Sequence, residues 1–149
     1  MMKTIPLAIV VTLVTFAVAQ VKHAPSLAEQ KICSDAAQKM RNGWWESAKK
    51  QWGDDTTVLE HNRIVDGHCI ALFEQEIMGS KTQQASRMVR VIDVFERRPV
   101  ADYLQDLPHY PEGEGGISVC VVGRVKCSSR VEFNRRVNQN FGFDQDTTE

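Results

Sequence analysis

The stretch RMVRVIDVFERRPVADYLQ, residues 87–105, predicts a β-hairpin and decides the fold class. From Val89 to Phe95 successive side chains fall into two alternating sets, and the β-branched residues that favour strands are frequent. The tripeptide RRP at 97–99 interrupts the alternation, because proline is tolerated at a turn or a strand start and not within a central strand. Alternation resumes from Val100 to Leu104, which gives the second arm.

Two further strands are predicted around this hairpin. Alternation from His68 to Phe73 predicts a strand that follows a turn or bulge at Asp66-Gly67, although a helix over the same residues remains an alternative. ISVCVV at 117–122 predicts another strand. Strands flanked by helices indicate an α+β protein, with an antiparallel sheet of about four strands and the helices, including the C-terminal one, packed on one face.

Both predicted helices begin at capping-box sequences. Ser26 and Glu29 start the N-terminal helix, which Asn42-Gly43 is expected to end. Ser129 and Glu132 start the C-terminal helix. Its apolar stripe falls at i, i+4 and i+8: Phe133, Val137 and Phe141.

The first 19 residues have the features of a secretory signal peptide. Lys3 gives a positive start, Ile5 to Val18 is mainly apolar, and Ala17 and Ala19 are the small residues that a signal peptidase requires. Cleavage is expected after Ala19. An uncleaved membrane anchor is the less favoured alternative, because the apolar run is shorter than the roughly 20 residues that span a bilayer.

Removal of residues 1–19 would leave 130 of the 149 residues (149 less 19), a usual size for one domain. We expect that domain to be 20–149, with disordered ends at 20–25 and 144–149. Without Lys3, the 18 basic residues become 17 against 19 acidic ones, a net charge of −2. This balance argues against a general nucleic-acid or anionic-membrane binder. We expect a secreted or periplasmic monomer that is not inserted in a membrane.

The four cysteines, Cys33, Cys69, Cys120 and Cys127, all lie beyond the predicted cleavage site. An even number of cysteines in an exported chain predicts disulfide bonds. Four cysteines allow three pairings. The short Gly123-containing segment between the last two favours Cys120–Cys127 together with Cys33–Cys69, and the other two pairings remain open.

Four segments occur in the order seen in a group of small exported bacterial proteins to which no activity is assigned. They are KICSDAAQKM, EHNRIVDGHCIALF, IDVFERRPVADY, and VC followed by KCSSRVEF. The chain resembles this group over nearly all of the predicted mature protein, and departs from it in the tryptophan-rich segment and in the Pro/Gly-rich loop at 106–116. The resemblance implies the element order, the use of disulfides and export. It implies no activity.

The segment EHNRIVDGHC, residues 60–69, places His61, His68 and Cys69 close together in sequence. Their spacing does not match the ligand patterns of zinc sites, and on a strand His68 and Cys69 would point to opposite faces. A disulfide-bonded Cys69 has no thiolate to offer as a ligand or nucleophile. No metal, cofactor or catalytic residue is therefore predicted.

Asp93 is the carboxylate of most interest, because it shares the predicted buried face of its strand. A buried carboxylate can mark a functional site. The commoner explanation is that it accepts backbone hydrogen bonds or pairs with a neighbouring arginine. With His61 or His68, Asp93 defines an alternative hypothesis, a cell-envelope hydrolase.

Two sets of residues are candidates for binding a partner. One set is aromatic, and either caps the core or forms a platform for a ligand: Trp44, Trp45 and Trp52. The other set is basic, and is either a solvated face or a docking patch: Arg97, Arg98, Arg135 and Arg136. The leading hypothesis is a non-enzymatic binding module for a protein or a cell-envelope component. An immunity-type inhibitor is a third possibility.

Overall fold

The computed structural model describes residues 24–52, 56–78, 85–107 and 116–144. The predicted signal peptide, most of the predicted disordered ends and most of the Pro/Gly-rich loop lie outside these described residues. The side chain of Trp52 lies outside them as well.

The described residues form two helices with six strands between them in the sequence. The elements are α1 (Leu27–Trp52), β1 (Thr56–Val65), β2 (His68–Met78), β3 (Ala85–Asp93), β4 (Arg98–Leu107), β5 (Ile117–Val122), β6 (Val125–Lys126) and α2 (Arg130–Phe141). All six strands pair antiparallel in one sheet, each beside the strand that precedes it in the chain. The α+β prediction is confirmed, but the sheet has six strands where about four were expected.

The two strands that were not predicted, β1 and β6, each complete a hairpin. Asp66 and Gly67 have φ angles of 50° and 83° and connect Val65 to its partner His68. Asp-Gly is favoured in such two-residue turns because both positions need positive φ. Gly123, with φ of 61°, begins the corresponding turn between β5 and β6. The turn or bulge predicted at Asp66-Gly67 is therefore a hairpin turn, and Gly123 begins a second one.

The β3–β4 hairpin is confirmed, with its turn slightly earlier than predicted. The turn occupies 94–97, and Arg97 takes φ of 52° there. Pro99 is already in β4, beside a bulge between Val91 and Ile92. A bulge interrupts the ladder locally, so proline is tolerated at this point.

The first helix is longer than the sequence suggested. It does not end at Asn42-Gly43 but continues to Trp52. The residues that face the sheet recur at helical spacing on both sides of the glycine: Cys33, Ala37, Met40, Trp44 and Ala48. Glycine within a helix costs about 1 kcal/mol relative to alanine. Packing of Trp44 on Phe73, with ring centroids 4.9 Å apart, helps to offset that cost.

The two helices lie on opposite faces of the sheet, which corrects the prediction that they share one face. Cys69, Ala71 and Phe73 of β2 belong to the cluster under α1. Ile70 and Leu72, which alternate with them, belong to the cluster under α2. Successive strand residues point to opposite faces, so β2 contributes to both cores. We call the two surfaces the α1 face and the α2 face.

Both predicted disulfide bonds are present. Cys33–Cys69 joins α1 to the start of β2, and Cys120–Cys127 links β5 to the segment after β6. No cysteine is left free. Neither of the two described helices is long and apolar enough to cross a bilayer.

Candidate functional site

A cavity of about 590 Å³ opens on the α2 face, between β1–β2 and the residues that follow α2. This volume is within the roughly 300–1,000 Å³ typical of small-molecule sites. Its lining combines cationic, anionic and apolar side chains: His61, Arg63, Leu72, Glu74, Arg130, Phe143 and Asp144. The cavity could hold a polar ligand that also has an apolar part.

Arg130 stands in the first turn of α2 and is held in place at the cavity wall. Its Nη2 donates a hydrogen bond to Glu74 Oε1 at 2.8 Å. Its Nη1 is shielded from solvent, and no described residue accepts a hydrogen bond from it. An unsatisfied buried donor is unfavourable by roughly 1–3 kcal/mol, and by more for a charged group. The guanidinium therefore has hydrogen-bonding capacity that the described protein does not use.

Tyr103 lies beneath this arginine. The Arg130 guanidinium is 5.9 Å from the centre of the Tyr103 ring, and that ring also packs against Phe133. Burial raises the pKa of the Tyr103 hydroxyl, and the charges of Arg130 and Arg87 offset only part of this effect. The hydroxyl is therefore neutral at physiological pH and donates to Gln105 Oε1 at 2.9 Å.

A close contact closes one side of the cavity. Arg63 Nη1 donates to the carbonyl of Gly142, the residue that caps the C-terminus of α2. Gly142 has φ of 71°, and a Cβ at this position would collide with the Arg63 guanidinium. Glycine suits the left-handed conformation, and a larger residue would also require the Arg63 side chain to move. Arg63 and Gly142 also line a second cavity, so their contact lies at the border of the two.

A separate polar cluster lies at the start of β2, also on the α2 face. His68 Nδ1 is 2.7 Å from Asp93 Oδ2. The Asp93 side chain is 2% exposed, whereas that of His68 is 52% exposed. Asp93 Oδ1 also accepts the backbone N–H of Glu96 at 3.2 Å. Both sequence-based interpretations of Asp93 therefore hold in part: it accepts a backbone hydrogen bond, and it contacts a predicted histidine.

Glu96 completes this cluster, and the sequence analysis did not select it for the site. Its Oε1 is 4.0 Å from His68 Nδ1, and its Oε2 is 3.0 Å from Arg98. The turn at 94–97 brings Glu96 back over Asp93, three residues earlier. Their i, i+3 spacing just before the predicted break at 97–99 was the signal that could have identified the pair. His61, the other candidate histidine, lines the cavity instead.

Two of the three tryptophans of the predicted aromatic set, Trp44 and Trp45, have described side chains, and these lie in different surroundings. Trp44 is half-buried between Phe73 and the Arg90 guanidinium, which is 5.4 Å from its ring. Trp45 is 39% exposed, with Lys49 Nζ 5.2 Å from its ring. Adjacent residues on a helix do not face the same way, so these two indoles point in different directions.

The predicted basic set is partly neutralised by neighbouring carboxylates. Arg98 pairs with Glu96, and Arg136 pairs with Glu132 at 2.8 Å. Arg97 and Arg135 are exposed. This set lies on the β3–β4 turn and on α2, and none of its four arginines lines the cavity.

Comparisons of the chain with protein-family models, with curated proteins and with solved structures found no match. The function is therefore argued from the geometry of these two sites.

Proposed function

We propose that the protein is a non-enzymatic binding module that holds a carboxylate-bearing part of a protein or cell-envelope component in the cavity beside α2. The observation that carries this proposal is the Arg130 guanidinium at the cavity wall. Its Nη1 has no acceptor among the described residues, while Glu74 already holds Nη2. The Arg130 side chain is 24% exposed, so a small rotation would turn Nη1 towards the cavity, where a ligand carboxylate would supply the missing acceptor through a charge-assisted hydrogen bond.

The rest of the lining supports a ligand of mixed character. Leu72 and Phe143 offer apolar surface, whereas His61 and Asp144 offer polar groups at the same cavity. The Arg63–Gly142 contact defines the side wall before any ligand arrives. A largely preformed site of this kind loses less entropy on binding.

The proposed site of action is an oxidising compartment outside the cytoplasm. The two disulfide bonds support this, because such bonds persist where thiols are not kept reduced. Export with cleavage after Ala19 is part of the proposal, as is membership of the exported bacterial group. Sequencing the N-terminus of the exported protein should find Gln20, and retention of Met1 would refute the cleavage.

The binding proposal is tested by exchanging one arginine for an uncharged residue. Immobilised wild type and Arg130→Met would be incubated with a solubilised envelope extract, and retained molecules identified by mass spectrometry. Arg135→Met is the matched control, because Arg135 is exposed on the same helix and does not line the cavity.

We expect a retained component that contains a carboxylate, is lost with Arg130→Met and is kept with Arg135→Met. Converting the carboxylate of that component to an amide should weaken its binding to wild type. Identical retained sets for the two variants would contradict the proposal, as would retention of nothing beyond a control with scrambled disulfides.

A hydrolase is the second candidate, favoured by the 2.7 Å contact between Asp93 and His68. A buried aspartate that holds Nδ1 of a half-exposed histidine leaves Nε2 available as a general base for water. Release of soluble fragments from purified cell-wall material would be compared for wild type, His68→Ala and His61→Ala. Activity lost only with His68→Ala would favour the hydrolase, and no activity in wild type would count against it.

The immunity-type inhibitor stays a prediction.

A further inference from the structure

We propose that His68, Asp93 and Glu96 form a binding site for a divalent transition-metal ion such as Zn²⁺. The potential ligand atoms of these three side chains lie within 4.8 Å of one another. The imidazole distinguishes this group from a chance cluster of surface acids. The inference is independent of the ligand proposed for the cavity, because none of the three residues lines it.

The distances are close to those that a metal ion would impose. With Zn–N and Zn–O bonds of about 2.0–2.1 Å, tetrahedral ligand atoms are roughly 3.3 Å apart. His68 Nδ1 is 2.7 Å from Asp93 Oδ2 and 4.0 Å from Glu96 Oε1. The first distance must lengthen by roughly 0.6 Å and the second must shorten by roughly 0.7 Å on this geometry.

The side chains that must move are the ones that are free to do so. His68 and Glu96 are 52% and 50% exposed, so small rotations about their side-chain bonds are sterically open. Asp93 is buried and stays in position. One fixed ligand and two adjustable ligands are enough to close around an ion without moving the sheet.

The electrostatics of the cluster also favour a cation. Two carboxylates converge on one imidazole. One of them, that of Asp93, is buried, and a buried charge lacks the solvation that water would provide. Arg98 contacts Glu96 Oε2, on the carboxylate oxygen that does not approach His68. A divalent ion bound between His68 Nδ1, Asp93 Oδ2 and Glu96 Oε1 would bring two positive charges to this point. These charges would compensate the two carboxylates, which on this side otherwise face only the imidazole ring.

Two contacts around the cluster act as the supporting shell that metal ligands usually have. The Glu96 N–H holds Asp93 Oδ1, which turns Oδ2 towards His68. Arg98 holds Glu96 Oε2, which turns Oε1 the same way. Such outer contacts fix ligand orientation and commonly change metal affinity by about 10–100-fold.

The ligand set selects the class of metal. One imidazole and two carboxylates suit Zn²⁺ and its first-row neighbours, whereas Ca²⁺ and Mg²⁺ prefer oxygen ligands alone. Three protein ligands leave at least one coordination position for water or a bound molecule. The exposed sides of His68 and Glu96 are where that position would lie.

The test uses untagged full-length protein with both disulfides intact. Co²⁺ would be followed by its visible absorption, which reports nitrogen and oxygen coordination, and Zn²⁺ by titration calorimetry. We expect one equivalent of each metal to bind. His68→Ala should weaken binding by about 100-fold and Glu96→Gln by about tenfold, in line with the sensitivity of metal sites to their ligands.

His61→Ala is the matched control, since His61 lies on the same face but belongs to the cavity, and its metal affinity should equal that of wild type. Both substituted ligands are half-exposed, so the variants should remain folded, which circular dichroism verifies. Wild type that binds neither metal would overturn the proposal. Binding that survives His68→Ala, or that His61→Ala abolishes, would overturn it as well.

Discussion

The two faces of the sheet are covered by helices that differ in length and in the way they are held. α1 has 26 residues, yet the only ones among its described side chains that are fully or nearly buried are Cys33, Ala37 and Ala48. α2 has 12 residues and buries Phe133, Asn134 and Val137. A disulfide bond secures the long helix, whereas large apolar side chains secure the short one.

This difference shows that helix length is a poor guide to what stabilises a helix on a sheet. Alanine and cysteine bury little area, and burial contributes roughly 25 cal/mol per Å² of apolar surface. Besides the partly buried Met40 and Trp44, α1 is therefore held by its covalent bond to β2. No cysteine lies in α2 itself, which packs on the sheet through Phe133 and Val137, and the Cys120–Cys127 bond lies on the same face just before its N-cap. This face also carries the cavity and the His68–Asp93–Glu96 cluster. Each face thus carries one disulfide bond, and both proposed sites lie on the α2 face.

The largest effect is expected from truncating the core of the α2 face. Phe133 is fully buried and packs against Tyr103. Phe133→Ala should lower the free energy of unfolding by about 3–5 kcal/mol, because it removes apolar contact and leaves a cavity. Urea unfolding followed by circular dichroism measures this change. Val131→Ala, at a 49% exposed site in the same helix, should change it by less than about 0.5 kcal/mol. Equal losses would refute the assignment of the core.

The second-largest loss of stability is expected from removing the disulfide bond of the α1 face. Removing Cys33–Cys69 as the double alanine variant should destabilise the protein by about 4 kcal/mol on the chain-entropy model, against about 2.5 kcal/mol for Cys120–Cys127, which closes a shorter loop. Unfolding of both double variants in urea gives the comparison. A larger loss from the shorter loop would contradict the predicted order, and a loss below about 1 kcal/mol from removing Cys33–Cys69 would show that α1 does not depend on its covalent bond.

Removing the N-cap of each helix should give smaller losses of stability, and the loss should be larger for α2 than for α1. The Ser129 hydroxyl accepts the Glu132 N–H at the start of α2, and Ser129→Ala should cost about 1 kcal/mol. Ser26→Ala removes the same bond from α1 but should cost less. The first turn of α1 is exposed as far as Ile32 and can fray without disturbing the core. Thermal unfolding of both variants tests the order, and a larger effect from Ser26→Ala would contradict it.

The smallest expected effect is a change in how the stability depends on pH, and it arises from Glu132 in α2. Hydrogen bonds from Arg136, and then from Ser128, lower the pKa of Glu132. A carboxyl group whose pKa is lower in the folded state stabilises the protein above its unfolded pKa of about 4.3. That stability is lost as the pH falls from there through the folded pKa. Glu132→Gln should therefore remove part of the loss of stability on acidification.

Urea unfolding of wild type and Glu132→Gln across this acidic range measures the difference. Glu46→Gln is the control from the other helix, because Glu46 is exposed on α1. A gap between wild type and Glu132→Gln that is the same at every pH would contradict the assignment, as would an equal response of Glu46→Gln.

The features that were predicted correctly are those that a short segment specifies. The capping sequences at Ser26 and Ser129 start both helices, and alternation identifies β2 and the β3–β4 hairpin. The end of α1 was predicted wrongly, because Gly43 is a local signal for termination that the packing of Trp44 and Ala48 on the sheet overrides. β1 and β6 were missed because their polar and short sequences are strands only through pairing with β2 and β5.

In the candidate sites, too, some residues were recognisable from the local sequence and others only from the tertiary structure. Asp93, His61 and His68 were recognisable as candidates from residue type and position on a strand. Arg130 was recognisable only as one of several arginines on the last helix, because its place at the cavity depends on Glu74, which is 56 positions away. Glu96 was not selected for the site either, because a turn rather than a motif places it beside His68.

By itself, the sequence determined the α+β class, the helix starts, the central strands and the preferred pairing of the cysteines, since each depends on residues close together in the chain. The tertiary structure alone decided which face each helix covers and which polar residues meet. His68 and Asp93 are 25 positions apart and come into contact only when β2 pairs with β3. Such a contact depends on strand register and on which way the side chains point, and local sequence patterns constrain neither over that distance.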